Sequence, residues 1–141
     1  MNVYAESSAV LAWILGEPRA EEVRHALIAS KLIVSSHLTL VECERTLVRA
    51  RTMGQLLEGE VAGRRKLLAD ASSHWHLLRL GDEILERSRL PFPGEPMRTL
   101  DALHLASTLF ARSFVRGLVL LSLDRRVRAS GAALGFDLLP V

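Results

Sequence analysis

The chain has 141 residues, 49% hydrophobic and 24% charged, a balance that fits one globular domain and excludes a disordered chain. A single cysteine, Cys43, excludes an intrachain disulfide and a multi-cysteine metal cluster, and points to a reducing compartment. Net charge is only +2, too little to argue nucleic-acid binding by itself. All of the 18 basic residues except Lys31 and Lys66 are arginines, whose forks suit phosphate, although a GC-biased coding sequence explains that preference more simply. The start, MNVYAESSAVLAWILGEP, has no basic residue ahead of its apolar run. Nothing approaches the ~18 uninterrupted apolar residues of a membrane span. No signal peptide and no membrane association are expected, and the expected location is cytoplasmic.

The pattern predicts a strand over Asn2 to Ala5, then a helix capped near Ser7 or Ser8 and ended by Gly16. A second helix is expected from Pro18, with Ala20, Val23, Leu27 and Ile28 on one face. LIVSS (32–36) reads as a buried strand, Leu38 to Arg51 as a helix broken by Gly54, and Gln55 to Ala71 as another helix. HWHLLRL (74–80) alternates weakly as a strand and precedes a helix over Asp82 to Arg89. After the loop LPFPGEP (90–96), Thr99 precedes the amphipathic DALHLASTLFARSF. LVLLSL (118–123) reads as a buried strand, Asp124 to Leu134 as a helix stopped by Gly135, and FDLLPV as a last strand. Strands alternating with helices predict an α/β fold: a parallel sheet of four or five strands, helices on both faces. Ligands of such sheets bind beyond the carboxyl ends of the strands.

That rule selects acids. Glu6 follows the first strand, and Asp124 ends LVLLSL, so both fall on the same rim. Glu42 and Asp101 lie near helix starts, each among apolar neighbours. Acids in apolar settings are costly unless paired or on a metal, and four of them together call for a divalent cation. Oxygen ligands suit Mg²⁺ or Mn²⁺. Each acid also has a plainer reading: Glu6, Asp101 and Asp124 as helix caps or dipole partners, Glu42 as an ion pair with Arg45 or Arg49.

Other chemistries find less support. Ser7 and Ser8 lack a GxSxG setting, and no glycine-rich phosphate loop occurs. His74 and His76 lack a third zinc ligand and read as surface residues. His104, three residues after Asp101, is expected to hydrogen-bond within the core, and Cys43 to act as a small buried hydrophobe. No Asp-x-Asp pair follows a strand, which argues against an acid-cluster phosphatase.

Four segments carry a resemblance: YAESSAVLAWILGEP, HLTLVECERTL, RTLDALHLASTL and LLSLDRRVRASGAALGFDLLPV, the last two being the most specific. Together they resemble the PIN-domain ribonucleases, and among them the VapC-type toxins of bacterial toxin–antitoxin pairs. The resemblance spans nearly the whole chain, so one PIN-like domain over 1–141 is expected. It implies a Mg²⁺- or Mn²⁺-dependent endoribonuclease, inhibited by a cognate antitoxin and dimeric, with RNA as substrate. It places the metal-binding and catalytic carboxylates on Glu6, Glu42, Asp101 and Asp124. Ser8 and Ser122 would orient carboxylates or a water, and Arg45, Arg98 and Arg125 are candidate phosphate contacts. The family has Asp in the first position, and this chain has Glu6, whose longer arm fits the strict octahedron of Mg²⁺ less easily. The competing reading is therefore a weak or silent PIN-like module that binds RNA or a protein partner. Trp13, Leu56, Leu57, Leu67 and Leu68 offer apolar surface for a homodimer and for a groove that accepts an antitoxin segment, or else complete the core.

Overall fold

The computed structural model describes residues 1–141. Its elements run β1 (Asn2–Ala5), α1 (Ser7–Leu15), α2 (Ala20–Ala29), β2 (Leu32–Ser36), α3 (His37–Thr52), α4 (Glu58–Ser72) and β3 (His76–Leu78). They continue with α5 (Asp82–Ser88), α6 (Thr99–Arg112), β4 (Leu118–Leu121), α7 (Arg125–Ala133) and β5 (Leu138–Leu139). All five strands are parallel, in the order β3-β2-β1-β4-β5. β1 lies in the middle, and the chain runs to one side of it through β2 and β3, then crosses to β4 and β5. The topological switch therefore falls between β1 and β4.

Strand alternation divides the core in two. Val3, Ala5 and Leu121 face a layer built from α1 to α4, where Val10, Ile14, Val23, Leu47 and Leu68 are buried. Tyr4, Val34, Leu118 and Leu120 face the other layer, filled by Ile84 of α5, Leu105 and Ala106 of α6, and Val127 of α7. Both faces of the sheet are thus covered, as a parallel sheet requires. Cys43 is fully buried in the first layer, and burial pushes its thiol up to about 12. It is the small hydrophobe expected of it.

Several boundaries differ from the pattern. Pro18 sits in a turn, because Gly16 ends α1 in the left-handed region (φ 67) and the chain needs Glu17 to Arg19 before α2 can start. Ile28 on α2 is exposed, so that helix buries Ala26 instead. α4 starts at Glu58, where Glu60 accepts the Leu57 N–H at 2.9 Å. β3 keeps only His76 to Leu78, since β2 is its single neighbour. His74 and His76 are exposed, as expected.

Gly131 is the point where α7 presses on β4: a Cβ there would meet Leu120 Cδ2 at 2.5 Å. Leu120 is fully buried and has little room to turn away. Gly131→Ala is expected to cost about 1–2 kcal/mol despite its better helix propensity, read as a lower urea midpoint. An unchanged or raised midpoint would show that Leu120 moves freely.

Candidate active site

The carboxyl ends of β1 and β4 open into a pocket of about 400 Å³, whose lining includes Glu6, Ser7, Ser8, Glu42, Arg98, Thr99, Asp101 and Asp124. All four acids singled out by sequence therefore reach one pocket at the switch point. They arrive by different routes. Glu6 leaves β1 and Asp124 follows β4, while Glu42 is carried by α3 and Asp101 by the first turn of α6.

Each acid has its own environment. Glu6, 2% exposed, caps α1 itself: Oε2 accepts the Ser8 N–H at 3.1 Å. The expected serine caps are thus donors to the acid before them. Ser7 Oγ donates to Oε1 at 2.9 Å, Ser122 Oγ donates to Oε2 at 2.8 Å, and the Ser8 hydroxyl donates to Oε2 as well. Ser8 Oγ in turn accepts the N–H groups of Leu123 and Asp124, at 2.9 and 3.1 Å. The hydroxyls of Ser8 and Ser122 knit the ends of β1 and β4 together around one carboxylate.

Asp124 caps α7, with Oδ1 accepting the Val127 N–H at 2.9 Å. Glu42 pairs neither with Arg45 nor with Arg49; its Oε1 lies 2.5 Å from Nε2 of His104. His104 is buried, as expected of a core hydrogen-bonding histidine, and Tyr4 Oη lies 3.1 Å from its Nδ1. Burial pushes the Tyr4 hydroxyl far up, so it stays protonated. The sequence offered no sign that His104 would meet Glu42. The three-residue spacing from Asp101 puts those two on the same side of α6 and says nothing of α3.

Asp101 is the strained member. Thr99 does not cap α6; the Arg98 position precedes the helix and supplies no side-chain bond. Asp101 Oδ2 is buried without a hydrogen-bond donor, 3.6 Å from Arg98 Nε. That arginine is 74% exposed and compensates little. Burial, then the charges of Asp124 and Glu6, hold the Asp101 carboxyl above its ordinary value against the opposing pull of Arg98 and His104.

As they stand, no three of these side chains meet at a single point. The donor set is nonetheless all carboxylate oxygen, one of them buried with no partner, and the acids outnumber the cations of the pocket. That fits a hard divalent cation. Of the candidate phosphate contacts, Arg98 stands on the pocket lip. Arg125 is exposed beside Asp124, outside the pocket lining, and Arg45 lines a separate cavity with Thr46, Arg49 and Met53.

The apolar residues offered for partners divide. Leu68 is buried, and Trp13 and Leu56 pack half-buried on the core, whereas Leu57 and Leu67 are exposed. Trp13 also lines a groove of about 340 Å³ with Leu27, Ile28, Ile33 and Trp75, and Arg24 and Lys31 contribute to its wall. No helix is long and apolar enough to cross a membrane.

A family model described as the PIN domain matches residues 3–131. Ribonuclease VapC46 of Mycobacterium tuberculosis is 36% identical over 106 residues, which cover 74% of this chain and 72% of that protein. Among solved structures, a toxin–antitoxin complex from Klebsiella pneumoniae aligns with a TM-score of 0.67 at 18% identity, over 99% of this chain and 98% of that one. Mycobacterium tuberculosis VapC20, a toxin that cleaves the sarcin–ricin loop, gives 0.65 at 13% identity, over 95% of each chain. VapBC2 from Rickettsia felis, bound to a DNA fragment from its promoter, gives 0.66 at 10%, over 98% of this chain and 97% of that one. At these identities the solved structures speak for the fold alone.

Proposed function

The chain belongs to the PIN-domain family as a VapC-type ribonuclease, and from that premise we propose that it is the toxin of a toxin–antitoxin pair. In this reading it hydrolyses RNA phosphodiester bonds at a site built from Glu6, Glu42, Asp101 and Asp124, with Mg²⁺ or Mn²⁺ as cofactor. The observation that carries it is Asp101: a carboxylate oxygen buried without a donor in a pocket it shares with three other acids. A divalent cation bound there would neutralise the carboxylates, offset charge at the scissile phosphate and acidify a water for attack.

The chain's own side chains do the rest. Ser7, Ser8 and Ser122 hold Glu6 in one orientation at the pocket. Asp124 is held by its bond to Val127, which leaves Oδ2 for the pocket. Arg98 on the lip would meet the RNA backbone, with Arg125 and Arg45 as flanking contacts. Incubation of a mixed RNA pool with Mg²⁺ or Mn²⁺, and with chelator, tests the reading. Divalent-dependent cleavage is expected. If there is neither cleavage nor a metal-dependent shift in melting temperature, a silent module that binds RNA or protein is left.

The partners are proposals of the same kind: a cognate antitoxin seated in the Trp13–Trp75 groove, and a second copy of the chain. Leu57 is 74% exposed, Met53 64% and Phe114 54%, apolar surface that a lone domain leaves wet. Sedimentation at micromolar concentration is expected to give twice the 15.6 kDa of the chain. A monomer would refute the homodimer.

A further inference from the structure

The hydrogen-bonded chain behind Glu42 does more than fill the core. Tyr4 and His104 are both buried, their rings edge-on at 6.3 Å, and they come from the central strand and from the helix that carries Asp101. A neutral imidazole has one N–H and one bare nitrogen, and which is which follows from its neighbours. Glu42 Oε1, 2.5 Å from Nε2, is a carboxylate oxygen and can only accept, while Tyr4 Oη lies 3.1 Å from Nδ1 and can either donate or accept. The proton of the neutral ring therefore resides on Nε2, which also has Ser7 Oγ at 3.3 Å, and bare Nδ1 is left to accept from Tyr4. Ser7 Oγ spends its own proton on Glu6 Oε1 at 2.9 Å, so the same serine links the His104 ring to the Glu6 carboxylate.

We propose that His104, with its Nε2–H on Glu42 Oε1 and Tyr4 behind its Nδ1, is a positioning residue that keeps the Glu42 carboxylate in the pocket lining, where Oε2 is left for a metal ion. Glu42 rises from α3 with a flexible arm, its side chain 22% exposed, and takes no hydrogen bond from the rest of the protein. Without His104 that arm would be free to swing out. The inference rests on the carboxylate-site reading above, and the test separates the two.

The probe is Mn²⁺ alone, titrated calorimetrically into the parent protein and into His104→Leu, His104→Gln, Tyr4→Phe and Asp101→Asn. Leucine fills the space without a donor; glutamine places an amide N–H near Nε2. His104→Leu is expected to weaken Mn²⁺ binding by about 10–100-fold, the usual loss when a partner behind a ligand is removed. His104→Gln is expected to recover most of it, and Tyr4→Phe to weaken binding by about 3-fold or more, with the fold intact because only a hydroxyl is lost. A merely structural role would lower the melting temperature of these variants and leave the affinity of the folded protein unchanged.

Parent affinity in His104→Leu, with binding lost in Asp101→Asn, overturns the inference and keeps the site. If His104→Leu does not fold, Tyr4→Phe and His104→Gln decide. Parent affinity in Tyr4→Phe, or a glutamine variant that folds and fails to bind, overturns the inference. Absence of Mn²⁺ binding by the parent protein overturns the site reading and this inference with it.

Discussion

Asp101→Asn is expected to abolish divalent-dependent RNA cleavage while leaving the metal-free protein at least as stable as the parent. In the proposed four-carboxylate site, loss of one anionic side chain should lower the rate by a factor on the order of 10² or more. The stability half of the prediction runs against the usual cost of altering a buried charge. Asp101 Oδ2 has no donor to lose, and its neighbours Asp124 and Glu6 repel it. Its carboxyl is held above its ordinary value, so the folded state disfavours the ionised form. Below that ordinary value both folded and unfolded carboxyls are protonated, and the residue contributes nothing. As pH rises, the unfolded state releases its proton first, and stability falls until the folded carboxyl has ionised too. At neutral pH the parent carries this penalty and the amide does not. The gain in melting temperature should therefore be present at pH 7 and vanish on acidification through the ordinary carboxylate range. Saturating Mg²⁺ or Mn²⁺ should reverse the order, because a cation that binds only the folded parent stabilises it by linkage. A metal-free variant that melts below the parent at pH 7 would mean that Arg98 counts for more than its exposure suggests.

The acids were legible because two independent features of the sequence agreed. Glu6 and Asp124 end apolar runs short enough to be strands, and Glu42 and Asp101 interrupt apolar faces where an acid is costly. A parallel sheet then leaves one rim for all of them. What periodicity does not carry is which side chain meets which. Glu42 and His104 are 62 positions apart, and only the packing of α3 and α6 beside the same strand brings them together. On sequence Arg45 and Arg49 were the nearer partners for Glu42, yet both are exposed, whereas Glu42 turns inward.

The same limit governs the helix ends. Ser7 and Ser8 have the cap chemistry that the rules ask for, but an acid one position earlier takes the role and turns their hydroxyls into donors. Pro18 has the geometry of a first helical turn, but the left-handed ending of α1 at Gly16 claims that stretch for a turn. In each case two residues compete for one local role, and the winner depends on contacts the local pattern does not contain. Leu57 shows it for burial as well: it belongs to the same apolar set as Leu68, yet it falls before the first turn of α4 and stays in solvent.

Glu6→Ala should destabilise the protein by about 2–4 kcal/mol, the opposite sign from Asp101→Asn in the same pocket. The difference lies in what each carboxylate accepts. Glu6 caps α1 through the Ser8 N–H, and loss of a cap costs about 1 kcal/mol. It is also the acceptor for the hydroxyls of Ser7 and Ser122, both buried, and for that of Ser8. Ser8 Oγ and Ser122 Oγ both already accept the Asp124 N–H, so their own protons must go elsewhere. One of them can turn to the other across 3.3 Å; the remaining donor has nothing. An orphaned buried donor costs about 1–3 kcal/mol, less where water enters from the pocket. Glu6→Asp separates support from metal geometry. Aspartate is among the best helix caps and still reaches the Ser8 N–H, so its cost should stay within about 1 kcal/mol. Its shorter arm is expected to withdraw from Ser122 and free an oxygen for the pocket, with the residue that the resemblance to the PIN-domain ribonucleases implies at this position. Mg²⁺ binding or cleavage should then rise. Urea midpoints without metal, and melting temperatures with and without Mg²⁺, distinguish the three proteins. A Glu6→Ala protein as stable as the parent would show that water satisfies the three serines. A Glu6→Asp protein with weaker Mg²⁺ response would show that the longer arm is the fitted one.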